Sequence, residues 1–188
     1  LKDIHVAFDP NVGLFKGETC SMDWRTHTYP NWFINSVIGD SFSSGTNALH
    51  KFFYQFLGTA GRIINKPSEE IAMWDKYCNI VKENINKRFW DEKQGCYTCY
   101  LYPEYMGYKS TQRVGVMSNG LAAILGVSTS EQSTRMVENF PLYPYGAAVL
   151  YPSIPDDFSY HNKSVWPVWQ TPYMYAARDA KNSAAVEH

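Results

Sequence analysis

Asn65-Lys66-Pro67-Ser68-Glu69-Glu70 is the stretch on which the fold turns. A proline here cannot continue the helix before it, yet it suits the first turn of the helix after it. The two acids that follow would face the positive end of that new helix. On the upstream side, Leu49, Phe52, Phe53, Phe56, Leu57, Ala60, Ile63 and Ile64 recur at three- and four-residue spacing, an apolar stripe of helical period. Thr46 or Asn47 is placed to cap its N-terminus. Gly58 and Gly61 each cost about 1 kcal/mol relative to alanine in such a helix, so their use would be close approach of a neighbour. On the downstream side, Ile71, Trp74, Tyr77, Cys78, Val81, Ile85 and Phe89 form a second stripe, opposite a solvated face carrying Asp75, Lys76, Lys82, Glu83 and Lys87. Two helices joined by so short a link make an αα-hairpin.

The pattern repeats further along. Phe89 to Tyr97 reads as a turn, and Tyr97 to Tyr102 as a short extended piece. A helix from Val116 to Leu125, closed by Gly126, precedes another from Ser128 to Asn139, whose Ser128-Thr129-Ser130-Glu131 start has the capping-box form. Pro141, Pro144 and Gly146 break that helix, and a proline-bearing loop leads to a last one from Ser164 or Pro167 to Ala180. Residues 1–45 are rich in Gly, Asn, Ser and Pro and read as loop, with at most a short helix or turn between Trp32 and Val37. The reading is therefore all-α: one domain over 1–188, with an irregular region over 1–45 and helical hairpins over 46–188.

Composition narrows the function. A formal charge of −1 gives no case for nucleic acid or an anionic membrane surface. No apolar run approaches the ~20 residues of a membrane span. Six Trp, 14 Tyr and 10 Phe, 16% of 188 residues, suit a core of large helices or a carbohydrate cleft. Cys96 and Cys99 have redox or metal-like spacing, but no second Cys or His pair accompanies them, so packed thiols are expected, with no metal and no cofactor. The start at Leu1 reads as an excised or processed edge and cannot report a targeting signal. The compartment stays open, with a periplasmic or secreted setting favoured over a cytoplasmic one.

The densest chemistry lies at Gly17-Glu18-Thr19-Cys20-Ser21-Met22-Asp23-Trp24-Arg25, continuing to Tyr29-Pro30-Asn31-Trp32. Carboxylates beside indole planes are what sugar cleavage needs. The ring stacks on the apolar face of a pyranose, and a carboxylic acid protonates the leaving oxygen. The same residues would equally serve as a surface loop whose tryptophans are anchored in the core.

Several pieces, in order, resemble the catalytic domain of (α/α)6-barrel, six-hairpin glycosidases, including glycogen-debranching amylo-α-1,6-glucosidase domains and glycoside hydrolase families 37 and 63. Ser21-Met22-Asp23-Trp24 is similar to the debranching "WMDA" piece, and Glu18, Asp23 and Arg25 to the trehalase "ESGWDFSSRW" segment at a spacing one residue longer. Gly45-Thr46-Asn47-Ala48-Leu49 resembles an "EINALWY" helix start. Phe89-Trp90-Asp91 with Gly95-Cys96-Tyr97 resembles "FW..–GYLYD". Tyr160-His161-Asn162-Lys163-Ser164-Val165-Trp166-Pro167 resembles "YHQGTVWPW".

The resemblance implies a toroid of twelve helices, of which this chain would be a C-terminal part, with the remaining part of the same barrel as its partner. It implies inverting hydrolysis of α-linked oligosaccharides, in which acid and base stand ~6.5–9.5 Å apart around the attacking water. Asp23 is then the general acid and Glu18 its competitor, with the base outside this chain. Trp24, Arg25, Trp32, His161, Asn162 and Trp166 become substrate-binding candidates. Two other classes stay open: a non-catalytic carbohydrate-binding or scaffold relative, and a lyase or epimerase using Tyr160 or His161 as base.

Overall fold

The computed structural model describes residues 2–18, 29, 33–155 and 160–187. Three units follow one another, each with a β-hairpin, a long connection and a helix. In the first, α1 (Lys2–Val6) leads into β1 (Phe8–Asp9) and β2 (Leu14–Phe15); α2 (Asn35–Gly39) and β3 (Phe42–Ser43) then precede α3 (Ser44–Ile63). Returning along α3, α4 (Ser68–Phe89) opens the second unit: β4 (Trp90–Asp91), β5 (Cys96–Tyr97), β6 (Tyr100–Glu104), β7 (Gly107–Ser110), β8 (Val114–Gly115) and α5 (Val116–Ile124). The third begins with α6 (Ser130–Asn139) and runs through β9 (Leu142–Tyr143), β10 (Gly146–Ala147) and β11 (Leu150–Tyr151) to α7 (Pro167–Asp179) and a short α8 (Ser183–Glu187).

Helices dominate, as the periodicity predicts, but the expectation of an all-α chain needs correcting. Five small antiparallel sheets are present among the described residues. Most of their strands are two residues long, too short to show a period of two. They serve to tie connections together.

The helices after the long connections form a row, α3 against α5 and α5 against α7, with α4 packed on α3 and with α6 and α8 on α7. Neighbouring units are joined at the starts of this row. Ser43 pairs with Tyr100 in one sheet and Gly115 with Leu150 in another. The first helical N–H groups, which have no partner within their own helix, are met the same way: Ser44 N–H donates to the Cys99 carbonyl at 2.9 Å and Val116 N–H to Val149 at 3.3 Å. The second and third connections therefore each dock on the helix start of the unit before.

The stripe on α4 is buried as expected at Trp74, Val81, Ile85 and Phe89, each contributing roughly 1.5–3 kcal/mol by burial. The stripe on α3 behaves differently. Phe52, Phe53, Phe56, Ile63 and Ile64 are 44–75% exposed. The face that α3 buries carries Ala48, Lys51, Tyr54, Gly58 and Gly61. Small residues there allow close approach: a Cβ on Gly61 would stand 2.6 Å from the Trp74 ring of α4. Gly120 of α5 plays the same part, where a Cβ would come within 2.5 Å of the Tyr173 backbone nitrogen on α7.

Two caps lie off the expected residues. The N-cap of α3 is Ser43, whose hydroxyl accepts from Thr46 N–H, because β3 holds Ser43 extended up to the helix start. The capping box of α6 is formed by Thr129 and Gln132; Ser128 instead donates to the Ala122 carbonyl and contacts Ser133 Oγ at 2.6 Å.

Candidate functional site

Every helix of the row carries, at its fourth residue, an amide that grips the hairpin of its own unit. Asn47 of α3 accepts from Phe15 N–H at 2.8 Å and donates to the Phe15 carbonyl at 3.0 Å. Asn119 of α5 accepts from Tyr97 N–H at 2.7 Å and donates to the Tyr97 carbonyl at 2.8 Å. Gln170 of α7 does the same to Ala147, at 2.9 and 2.8 Å. The two asparagines also donate to the N-cap carbonyls of Ser43 and Gly115. Each connection thus starts and ends at fixed posts beside a helix start, and all three emerge at one end of the row.

The first two hairpins share a local chemistry as well. Phe8-Asp9 and Gly13-Leu14-Phe15 match Trp90-Asp91 and Gly95-Cys96-Tyr97 in spacing. Asp9 accepts from Asn11 and Val12 N–H, and Asp91 from Lys93 and Gln94 N–H. In both, the glycine has positive φ, and its N–H returns to the aspartate carbonyl at 2.7 and 2.8 Å. The Gln94 N–H bond is the leading reason the Asp91 carboxyl lies below its usual range.

Between the posts, the connections converge on one cluster. Tyr29, Phe33 and Ile38 come from the first, Cys99 and Tyr100 from the second, and Val149, Leu150 and Ile154 from the third, with Trp166 and Trp169 packed against them. Tyr29 lies 4.9 Å from Tyr100 and 5.9 Å from Phe33, ring centre to ring centre. His161 is buried among Tyr160, Trp166 and Trp169, with ring centres 4.4–5.4 Å away. Trp166 and Trp169 stack at 5.2 Å and 17°, and the Trp166 indole N–H donates to the Tyr160 carbonyl at 3.0 Å. Polar ties fix the rim. Lys16 pairs with Asp40, the leading cause of its raised pKa, and the Tyr108 hydroxyl donates to Asp40 at 3.3 Å. Asp40 thus links the first connection to β7.

Of the residues expected from the sequence to form a site, Asp23, Trp24, Arg25 and Trp32 lie outside the described residues. The described residues around them are held in place. Gly17 N–H donates to the Ser41 carbonyl at 2.9 Å and Thr46 Oγ1 to the Glu18 carbonyl at 2.6 Å, while Tyr29 sits in the shared cluster. Glu18 is only partly exposed, beside the start of α3. His161 and Trp166 share that cluster's surroundings. Asn162 faces inward: its amide donates to the Ile154 carbonyl at 2.8 Å and accepts from Ile154 N–H at 2.7 Å. Both ends of the side chain are therefore occupied by the backbone of its own loop.

Asn47, Asn119, Gln170 and Trp169 are structural contributors that the sequence reading did not single out as site residues. The aromatic-Asp…Gly-x-aromatic repeat was the signal that could have located the first two posts. Cys96 is buried, and its thiol is pushed up to about 12 by that burial, with Asp91 adding to it; a thiol so far from ionising is a poor nucleophile. Among the described residues no group of three His, Cys, Asp or Glu is placed to hold a metal ion, and no helix is long and apolar enough to cross a membrane.

No family model and no curated protein sequence matches the chain. Solved structures do. The neutral trehalase of Saccharomyces cerevisiae aligns at a TM-score of 0.65 and 17% identity, over 84% of this chain and 30% of that one. An uncharacterized conserved protein of Thermus thermophilus aligns at 0.59 and 13%, over 78% and 36%. A family 63 mannosylglycerate hydrolase from the same organism, solved with Tris, aligns at 0.57 and 14%, over 78% and 35%. The chain therefore resembles (α/α)6-barrel glycosidases in fold, and it spans about a third of the length of these structures.

Proposed function

We propose that this chain forms part of the catalytic domain of a glycoside hydrolase that inverts configuration at α-linked oligosaccharides. One observation carries the reading: the loop bearing the carboxylate-and-tryptophan segment and the loop bearing Tyr160-His161-Asn162 meet in a single aromatic cluster. The two motifs are more than 120 residues apart in sequence, and a carbohydrate cleft needs its aromatic platforms and its acid in one place. Glycosidase neighbours in fold support the same reading.

In this mechanism Asp23 protonates the leaving oxygen, and a carboxylate beyond the motifs of this chain activates water on the opposite face of the sugar. The assignment of Asp23 rests on the Ser21-Met22-Asp23-Trp24 motif; Glu18 is the alternative acid. Arg25 would orient the acid or bind hydroxyls. Trp24, Trp32 and Trp166 would offer stacking faces, and His161 a hydrogen bond to a hydroxyl. Asn162 would act by shaping the loop that presents His161. The exposed apolar residues of α3, and Val168, Met174 and Tyr175 on α7, would be covered by further helical hairpins of the same toroid.

The test is hydrolysis of an aryl α-glucoside by the full-length protein that carries this chain, followed by proton NMR of the first-formed sugar. The β-anomer is expected, and Asp23→Asn should abolish it with the circular dichroism spectrum unchanged. Hydrolysis by Asp23→Asn at the wild-type rate would remove the acid assignment, and an unsaturated product would remove the hydrolase reading.

A further inference from the structure

The hairpin of β6 and β7 ends in two large side chains that the fold does not use. Glu104 pairs with Gly107, which leaves Tyr105 and Met106 as a two-residue turn. Of these four residues only Gly107 has positive φ, at 132°. Asn, Asp or Gly ordinarily fill the two turn positions. Tyr105 is instead 100% exposed and Met106 91%, so neither side chain adds to the packing that holds the chain folded.

The hairpin beneath them is anchored on one face and open on the other. On the anchored face Leu101 lies in the core, and Tyr108 packs edge-on against Phe42 at 4.8 Å with its hydroxyl on Asp40. The open face carries alternate residues of β6, namely Tyr100, Tyr102 and Glu104, with Lys109 of β7 standing opposite Tyr102. Exposure rises along it. Tyr100 is buried in the aromatic cluster, Tyr102 is half-buried against Phe33 at 5.2 Å, and Glu104 is exposed and pairs with Lys109 at 3.3 Å. Tyr105 completes the run, about 17 Å of strand from where it began.

Rings separated by a solvent-facing ion pair, on a strip two strands wide, suit an oligosaccharide. Each pyranose offers an apolar face to a ring and a belt of hydroxyls to a carboxylate that accepts and an ammonium that donates. A protein partner calls for a contiguous apolar patch depleted of charge at its centre, and here the charged pair lies in the middle of the run. The inner end of the strip is continuous with the aromatic cluster through Tyr100, Tyr102 and Phe33.

We infer that the β6–β7 hairpin docks the outer residues of an α-linked oligosaccharide, with Tyr105 as the distal stacking ring and the Glu104–Lys109 pair as the hydroxyl contact. The inference rests on the carbohydrate reading above and narrows its substrate class to chains long enough to run from the aromatic cluster to the hairpin tip.

The experiment is isothermal titration calorimetry of the full-length protein that carries this chain with maltohexaose and with maltose, beside Tyr105→Ala, Tyr105→Phe and Glu104→Gln. Wild type should bind maltohexaose about tenfold or more tightly than maltose, and Tyr105→Ala should lose most of that preference. Tyr105→Phe keeps the ring and should keep the preference. Glu104→Gln breaks the ion pair but retains a hydroxyl partner, so it should reduce the preference less than Tyr105→Ala. Matching melting curves exclude a folding defect. If Tyr105→Ala prefers maltohexaose as wild type does while wild type hydrolyses the aryl α-glucoside, the hairpin role falls and the hydrolase reading stands. The same holds if Tyr105→Ala changes only sedimentation, which would make the tip a protein contact. If wild type neither binds maltohexaose nor hydrolyses the glucoside, the inference and the reading beneath it fall together.

Discussion

Asn162 holds Ile154 by both of its backbone polar groups, donating to the carbonyl at 2.8 Å and accepting from the N–H at 2.7 Å. Both residues are buried, Asn162 completely. Asn162→Ala would strand two backbone groups away from water, at about 1–3 kcal/mol for each group that stays unmet. Urea denaturation should show a loss of about 2 kcal/mol or more. Asn162→Asp keeps the acceptor and forfeits the donor, so it should not recover wild-type stability. Because Ile154 packs in the cluster that receives Trp166 and Trp169, tryptophan emission should shift to the red in Asn162→Ala.

Asn47 and Asn119 are fully buried and make three hydrogen bonds each, whereas Gln170 makes two from a partly exposed position. Substituting each by alanine should therefore cost more at Asn47 and Asn119, about 2–4 kcal/mol, than at Gln170, about 1 kcal/mol. Equilibrium unfolding of the three variants checks the ranking. Equal losses at all three positions would contradict it.

His50 stacks flat on Phe15 at 4.0 Å and 8°, with Asp3 at 3.8 Å. Burial lowers its pKa, and Asp3 opposes that only in part. A histidine whose pKa falls on folding takes up a proton more readily when unfolded, so its contribution is present above the ordinary value of ~6.5 and is lost as pH falls below it. Thermal melts between about pH 7.5 and about pH 5.5 should show Tm declining in wild type. His50→Phe, which keeps the stack and removes the titration, should flatten that part of the decline.

The exposed face of α3 separates solubility from stability. Phe52→Gln with Phe56→Gln should leave unfolding free energy within about 0.5 kcal/mol of wild type, the usual range for surface changes. It should reduce concentration-dependent association in sedimentation, since contiguous exposed apolar side chains drive it. Phe42→Ala, at a side chain with no exposure, should instead cost about 3–5 kcal/mol.

The helices were legible because twenty-odd residues of periodic pattern outweigh any single misfit; α3 ends and α4 begins at the Asn65–Pro67 break. What the pattern could not tell was which side of α3 is inward. Hydrophobic periodicity marks a face, but closely packed helices bury glycine and alanine, and the large side chains fall on the other side. The paired strands escaped because Phe42–Ser43 and Val114–Gly115 are too short for alternation to show. Ser128 and Ser43 illustrate a third limit: neighbouring Ser and Thr are chemically equivalent as caps, and only the backbone entering the helix selects between them. The motif block from Tyr160 to Pro167 marks residue types, not orientations. It could not tell that Asn162 would turn its amide on its own loop.

The recurring amide at the fourth helical residue has a consequence for how such a protein can change. The gripped residue and its grip are 32 positions apart in the first unit and 22 and 23 in the others, yet the same two-bond anchorage closes all three. Chain length between anchors is thus decoupled from the scaffold. Insertions, deletions or wholesale exchange of a connection can remodel what the protein recognises while strand and helix keep their mutual position, so the three connections behave as replaceable cartridges on a common frame.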